Sequence, residues 1–374
     1  MTSQAAPLTT GPVKVVGTGL LGTSIALCLS SHGVPVQLAD ASPSVLALAR
    51  DMGAGEPVHD ASPEPALVVV ATPPDVAGPV VLDMLRRHPA AVVTDVASVK
   101  AVIADEVAAG AADDAARARY VGSHPMAGRE RSGAIAADAD LFAGRPWVIA
   151  AVADASPAAV GAVRALALDL GALPVPLAPQ EHDDAVALVS HIPQLAASLV
   201  ASRLVDAPEA ALSLAGQGLR DVTRIAASEP RLWAAILAGN AGPVAAGLRE
   251  LRADLDSLIA GLDRAAAEGP LAPGAMGAVS AVVSAGNTGV ARVPGKHGGA
   301  PRRYATVQVL IPDEPGELGR LFGEVGEIGV NIEDLLLEHS AGARVGIAHL
   351  SVVPASAAGL EHELTTRGWR VVAE

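Results

Sequence analysis

Apolar positions change their period along the chain. Between residue 13 and about 150, short β-branched runs at 13–16, 36–39, 67–71, 92–95 and 147–151 alternate with alanine-rich stretches. That βαβ rhythm predicts a parallel sheet covered by helices. A further strand-like run at 119–121, a helix at about 156–170 and a short strand at 173–176 complete the unit. From 179 to about 268 the β-branched runs disappear and helical spacing takes over. Its clearest stretch places Leu248, Leu251, Leu255, Leu258 and Leu262 three and four apart, with Arg249, Glu250, Arg252 and Asp256 off the stripe. Such a stripe suits a dimer seam or a core-facing helix equally. Residues 269–303 are rich in Gly and Pro and predict a linker. The last stretch orders strand (306–311), helix (316–328), strand (331–338), strand (344–352), helix (357–367) and strand (370–372), the βαββαβ order of a small ferredoxin-like domain.

The expected architecture is therefore α/β. A Rossmann-type doubly wound domain over 11–177 precedes an all-helical substrate and dimerisation domain over 178–270. A linker over 271–303 leads to a ferredoxin-like domain over 304–374.

Composition narrows the function. A formal charge of -14 with only three lysines excludes a nucleic-acid backbone as partner, because phosphate neutralisation needs clustered cations. Any anionic substrate must be held by individually placed basic residues. Aromatics are 2% of the chain, so its interior is filled by Ala, Val and Leu. The one cysteine, Cys28, forms no intrachain disulfide and lies on an apolar helix as a small hydrophobe. The N-terminus lacks a basic segment followed by an apolar core, and no run of about 18 apolar residues is free of Gly, Pro or charge, so a soluble cytoplasmic protein without a membrane partner is expected.

Gly17-Thr18-Gly19-Leu20-Leu21-Gly22 follows the first strand and opens an apolar helix. In that context glycines allow a tight turn and bring backbone N–H groups to a pyrophosphate. The next strand ends at Asp40, 18 residues beyond Gly22. A carboxylate there accepts from ribose hydroxyls and repels a 2′-phosphate, which favours NAD over NADP. Thr72 and Pro73 end another strand and would border the cofactor.

The stretch Gly122-Ser123-His124-Pro125-Met126-Ala127-Gly128-Arg129-Glu130 is expected to form a loop near the nicotinamide, where His124 can reach a substrate. His182 and His191 lie nine residues apart, which sets them on opposite sides of an unbroken helix, although Pro193 can bend it. No H-E-x-x-H spacing is present, and no catalytic metal is expected.

These phrases, together with Asp95-Val96-Ala97-Ser98-Val99-Lys100, Ser190-His191-Ile192-Pro193-Gln194, the segment Arg220-Asp221-Val222-Thr223-Arg224-Ile225-Ala226 with Trp233 beyond it, and Pro294-Gly295-Lys296-His297-Gly298, closely resemble prephenate and arogenate dehydrogenases over nearly the whole chain. The tail, with Asp313-Glu314-Pro315-Gly316, is similar to an ACT domain, a small amino-acid-sensing module. The resemblance implies a homodimer that oxidises and decarboxylates prephenate with NAD on the way to tyrosine. It assigns His124 as the base, Ser98 as its hydrogen-bonding companion and Arg224 as the carboxylate ligand. It also places His191, Gln194 and Trp233 at the substrate, and a tyrosine effector near Asp313 and Gly316. Some members have histidine where this chain has Gln194; glutamine can donate to a keto oxygen or accept from an ammonium, so prephenate and arogenate both stay open, with prephenate read first. Two rivals lose ground. The 3-hydroxyacid dehydrogenases use a lysine in the helical domain, and Lys14, Lys100 and Lys296 all lie outside it. A non-catalytic amino-acid-sensing regulator would not need the glycine loop, Asp40 and His124 together.

Overall fold

A computed structural model describes residues 6–129, 133–294, 304–339 and 345–372. Glu130, Gly295, Lys296, His297 and Gly298, quoted above in motifs, lie outside the described residues. The chain divides into two compact units, residues 1–201 with 225–249, and residues 202–224 with 250–374.

The first unit is built on five parallel strands, β1 (Val13–Val16), β2 (Val36–Ala39), β3 (Glu56–Pro57), β4 (Leu67–Val70) and β5 (Val92–Asp95), in the order β3-β2-β1-β4-β5. Alternation along the strands explains the two covering layers. Val13, Val15, Leu67 and Val69 join Ile25 and Leu29 of helix Leu20–Ser31 and Val163 and Leu166 of helix Pro157–Asp169. Val68, Val70 and Val93 turn to the opposite face, against Val81 and Leu85 of helix Pro74–Arg87 and Ile103 and Val107 of helix Ala101–Gly110. Helix Pro157–Asp169 begins where Ser156 Oγ accepts from Ala159 N at 3.2 Å and proline takes the first turn.

The strands that follow do not extend that sheet as one parallel array. β6 (Gly122–Pro125), β7 (Pro146–Ala150) and β8 (Leu173–Pro176) form a second sheet in which β6 and β7 are antiparallel and β7 and β8 parallel. The run 119–121 is not a strand; it meets β5 through a single bridge, Val93 to Tyr120. Arg119 explains its role, since its guanidinium donates to the carbonyls of Leu85, His88 and Ala91 and so ties off the end of helix Pro74–Arg87. The histidine phrase, expected as a loop, begins instead as β6. Pairing with β7 overrides the weak strand preference of Gly, Ser and Pro, and Ser123 Oγ donates to Asp95 O at 2.9 Å, fastening β6 beside the end of β5.

Beyond β8, helix Pro179–Val186 runs through a π turn, Ala187–His191, into helix Ile192–Ser202. This run is long and apolar enough to cross a membrane by composition. Its buried residues include His182, Asp183, His191 and Gln194, which belong to a polar site rather than to lipid.

The second unit carries helix Ala275–Val290, where a linker was expected. Gly274, at φ +83°, opens it, and a Cβ on Gly261 would stand 2.6 Å from Ala278 Cβ, so small residues let this helix close on the preceding one. Leu251, Leu255 and Leu262 are 44, 53 and 50% exposed, so the leucine stripe does not fill this chain's core. The C-terminal strands are β9 (Ala305–Pro312), β10 (Asp334–His339), β11 (Val345–Val352) and β12 (Arg370–Val372). They form an antiparallel sheet in the order β10-β11-β9-β12, backed by helices Glu317–Ile328 and Pro354–Thr366. Val307, Val309, Leu321, Leu350 and Leu360 fill its core, as the ferredoxin-like pattern requires.

The glycine loop gives a direct test of packing. A Cβ on Gly22 would collide with the Gly17 carbonyl oxygen, whereas one on Gly19 meets nothing within 4 Å. Gly22→Ala is expected to destabilise the first unit by about 1–3 kcal/mol and Gly19→Ala to leave its thermal midpoint unchanged. Equal midpoints for the two variants would contradict this packing.

Candidate active site

The carboxyl edge of the parallel sheet gathers the glycine loop, Asp40, Thr72 and the end of β5. Gly17 has φ +96°, and a Cβ there would strike the Ala71 carbonyl, so the tight turn needs glycine. Gly19 faces open space at the start of helix Leu20–Ser31, which has no side-chain cap. Backbone N–H groups at such an end suit a pyrophosphate. Leu20 and Leu21 form the first turn. Asp40 Oδ2 accepts from Thr18 N at 2.6 Å and Thr18 Oγ1 at 2.9 Å, and Oδ1 from Ser42 N at 2.8 Å. The acid therefore braces the glycine loop, and a carboxylate with roughly four acceptor positions keeps capacity for a ribose hydroxyl. Thr72 Oγ1 is buried without a partner at the end of β4, an orphan that a bound group can satisfy. Pro73 follows it at the head of helix Pro74–Arg87. These residues fit a dinucleotide.

His124 projects from β6 and is 9% exposed. Its Nδ1 lies 2.8 Å from His182 Nε2, and His182 Nδ1 lies 2.7 Å from Asp183 Oδ1. Asp183 Oδ1 also accepts from Lys100 N at 2.8 Å and its Oδ2 from Ala101 N at 2.9 Å, the first amides of helix Ala101–Gly110. Asn240 Nδ2 donates to the Asp183 carbonyl at 2.7 Å and to His191 Nδ1 at 3.1 Å. His191 stands edge-on to Trp233 with ring centroids 6.1 Å apart. The expectation that His182 and His191 lie on opposite sides fails because the π turn Ala187–His191 adds a residue to the local repeat, and both histidines are buried in one hydrogen-bonded group.

Burial sets the charge of these rings. It holds His124 well below the ordinary histidine range, aided by His182, Lys100 and His191. Burial also lowers His191 to about 4, with His182 acting in the same sense and Asp183 opposing. Both are neutral imidazoles at physiological pH. Beneath them, Lys100 Nζ is paired with Asp95 Oδ1, and Tyr120 OH donates to Asp95 Oδ2 at 2.8 Å. Burial lowers Lys100, opposed by Asp95, and raises Tyr120, with Asp95 adding to the effect.

Among the residues expected from the sequence, Ser98 is half-buried three positions past β5. Gln194 is buried and loosely held, accepting from Ser228 Oγ at 3.4 Å and donating to Ser198 Oγ at 3.5 Å. Arg224 lies on helix Gln217–Ala226 and belongs to the second unit. So do Asp313 and Gly316, where Gly316 has φ +96° at the head of helix Glu317–Ile328. Sequence reasoning did not find the linkage of His182, Asp183 and Asn240 to His124. Asp95 and Lys100 stood at the two ends of a quoted motif, but nothing in their spacing announced an ion pair.

Comparison with known proteins gives the family. Residues 25–176 match the family described as "Prephenate dehydrogenase, nucleotide-binding domain", and residues 178–272 match "Prephenate dehydrogenase, dimerization domain". "Probable prephenate dehydrogenase NovF" of Streptomyces niveus is 37% identical over 359 residues, covering 95% of this chain and 98% of its own. The prephenate dehydrogenase of Bacillus subtilis is 31% identical over 246 residues, 61% of this chain and 64% of that protein. The prephenate dehydrogenase from A. aeolicus, solved with hydroxyphenyl propionate and NAD+, shares the fold at a TM-score of 0.65 and 24% identity, covering 76% of this chain and 98% of that one. With a relative similar along nearly its whole length and both family regions matched in order, the chain belongs to the prephenate dehydrogenase family of oxidoreductases.

Proposed function

We propose that the chain catalyses the NAD-dependent oxidative decarboxylation of prephenate to 4-hydroxyphenylpyruvate in tyrosine biosynthesis. The observation that carries this reading is the buried, neutral His124 on β6, fastened beside the carboxyl edge that holds the glycine loop and Asp40. Prephenate bears a hydroxyl, a ring carboxylate and a pyruvyl side chain. Bound NAD supplies the hydride acceptor. His124 takes the hydroxyl proton as the carbinol becomes electron-poor, and Ser98 orients the hydroxyl. Loss of the ring carboxylate as CO2 then gives the aromatic product. Gly17, Gly19, Gly22 and Thr72 hold the dinucleotide, and Asp40 selects NAD by accepting from its ribose. His191, Gln194 and Trp233 line the substrate. The substrate carboxylate is assigned to Arg224 on the strength of its motif, because a planar guanidinium offers two parallel donors.

Arogenate is the second reading. The loosely held Gln194 supports it, since its amide can turn an oxygen toward an ammonium. The dimerization-domain match and the exposed Leu251, Leu255 and Leu262 support a homodimer.

Absorbance at 340 nm tests the assignment. NADH is expected with NAD and prephenate, with slower NADH formation from arogenate and slower NADPH formation when NADP replaces NAD; no reduced nucleotide with either substrate overturns the function. In the same assay His124→Asn is expected to lower kcat by about 10²–10⁴-fold, whereas Arg224→Gln raises KM about tenfold or more through loss of a charge-assisted contact. A His124→Asn enzyme at half the wild-type rate removes the base assignment.

Tyrosine, the pathway product, is the proposed effector of the C-terminal domain, with the Asp313 to Gly316 turn presenting backbone groups to its carboxylate. Truncation after Gly299 is expected to abolish tyrosine inhibition while activity survives. Undiminished inhibition of the truncated enzyme places tyrosine elsewhere.

A further inference from the structure

The burial that keeps His124 neutral also opposes the charge it must acquire as a base. We propose that His182 and Asp183 act as a positioning pair that fixes the His124 tautomer and takes over the positive charge when His124 accepts the substrate proton. The inference rests on the reading of His124 as the base.

The tautomers follow from obligate donors. The amides of Lys100 and Ala101 can only donate, so both oxygens of Asp183 face donors. The third neighbour, His182 Nδ1 at 2.7 Å, completes the set by donating to Oδ1. A neutral His182 then has its lone pair on Nε2 and accepts from His124 Nδ1–H at 2.8 Å. His124 is left with the lone pair on Nε2, the nitrogen that accepts a proton. Had Asp183 been absent, nothing among these contacts would choose between the two His124 tautomers.

The transfer balances in two moves. The hydroxyl proton binds His124 Nε2, and the proton on His124 Nδ1 passes to His182 Nε2. His124 ends neutral, now protonated at Nε2, and His182 ends as an imidazolium bonded to the Asp183 carboxylate. The charge has moved one residue away from the substrate toward its counter-ion. Protonation of His124 alone would leave an imidazolium facing the developing positive carbinol. His182 is fully buried and Asp183 is 1% exposed, so their attraction is little screened by solvent. The start of helix Ala101–Gly110 adds a fixed positive end that holds the carboxylate in place.

The other groups around the pair do not replace it. His191, on the π turn, is bonded to Asn240. Lys100 is paired with Asp95, and Tyr120 also donates to Asp95. All remain in the variants described next.

Three substitutions in the full-length enzyme separate positioning from simple support. Asp183→Asn removes the counter-charge, and its amide oxygen can still accept from His182. His182→Asn can accept from His124 Nδ1–H but cannot pass the proton on; His182→Leu does neither. Expected is a fall in kcat of about tenfold or more for Asp183→Asn and His182→Leu, with His182→Asn intermediate. KM for prephenate and the affinity for NAD stay within about twofold, because no substrate contact is lost. The acid limb of kcat/KM moves to lower pH in Asp183→Asn. The sign follows from the charge: a nearby anion favours the protonated base and raises its pKa, so removing it lowers the pH at which the base titrates. Unchanged kcat and an unmoved acid limb in folded Asp183→Asn and His182→Asn overturn the relay. If Asp183→Asn fails to fold, His182→Asn and His182→Leu decide alone, and equal rates for those two overturn the proposal. An inactive His124→Asn beside unaffected His182 variants discards the relay and keeps the base; an active His124→Asn discards the base itself.

Discussion

Asp183 is the joint on which the catalytic half of the molecule depends. Its carboxylate closes the start of helix Ala101–Gly110 by accepting from Lys100 N and Ala101 N, and it ends the chain of imidazoles that begins at His124. Its carbonyl receives Asn240, which reaches His191. One residue therefore binds the layer after β5, the histidine run and the helix ending at Gly239 into a single polar group. Were that group incomplete, the buried amides and rings would each lack a partner, at a cost of about 1–3 kcal/mol apiece.

A tension between burial and charge runs through this site. Lys100 is tolerated in the interior because Asp95 pairs with it, and Tyr120 donates to the other oxygen of the same carboxylate. His124 has no carboxylate of its own. It stays neutral, which suits a proton acceptor, and is linked to the Asp183 carboxylate through one imidazole. The same edge of the sheet keeps Asp40 working on the glycine loop, so the proposed nucleotide recognition and the loop shape share a carboxylate.

Much of this was legible in the sequence, for definable reasons. β1, β2 and β5 have the predicted limits because their β-branched runs are buried on both faces and bounded by turns. The C-terminal βαββαβ unit was equally plain, since β9 and β11 alternate about a helix-covered face. β6 was missed because Gly122, Ser123, His124 and Pro125 carry almost no strand preference; only β7 and the bond from Ser123 to Asp95 O make them one. Helix Ala275–Val290 was hidden by Gly277, Gly286 and Gly289, which look like linker; its close approach to the preceding helix is made by Ala278 against Gly261. His124, Gly17 and Asp40 could be singled out as candidates because their motifs are local. His182 meets His124 across 58 residues and Asn240 meets Asp183 across 57, with a π turn bringing in His191, and no periodicity encodes such contacts.

The central claim is that His124 is a neutral base with its free lone pair on Nε2. Nitrogen-15 NMR of histidine-labelled enzyme at neutral pH reads each ring nitrogen separately. The account predicts His124 protonated at Nδ1 and bare at Nε2, remaining so as the pH falls through the ordinary histidine value of 6.5. A proton on Nε2 in the free enzyme, or an imidazolium at neutral pH, would contradict it.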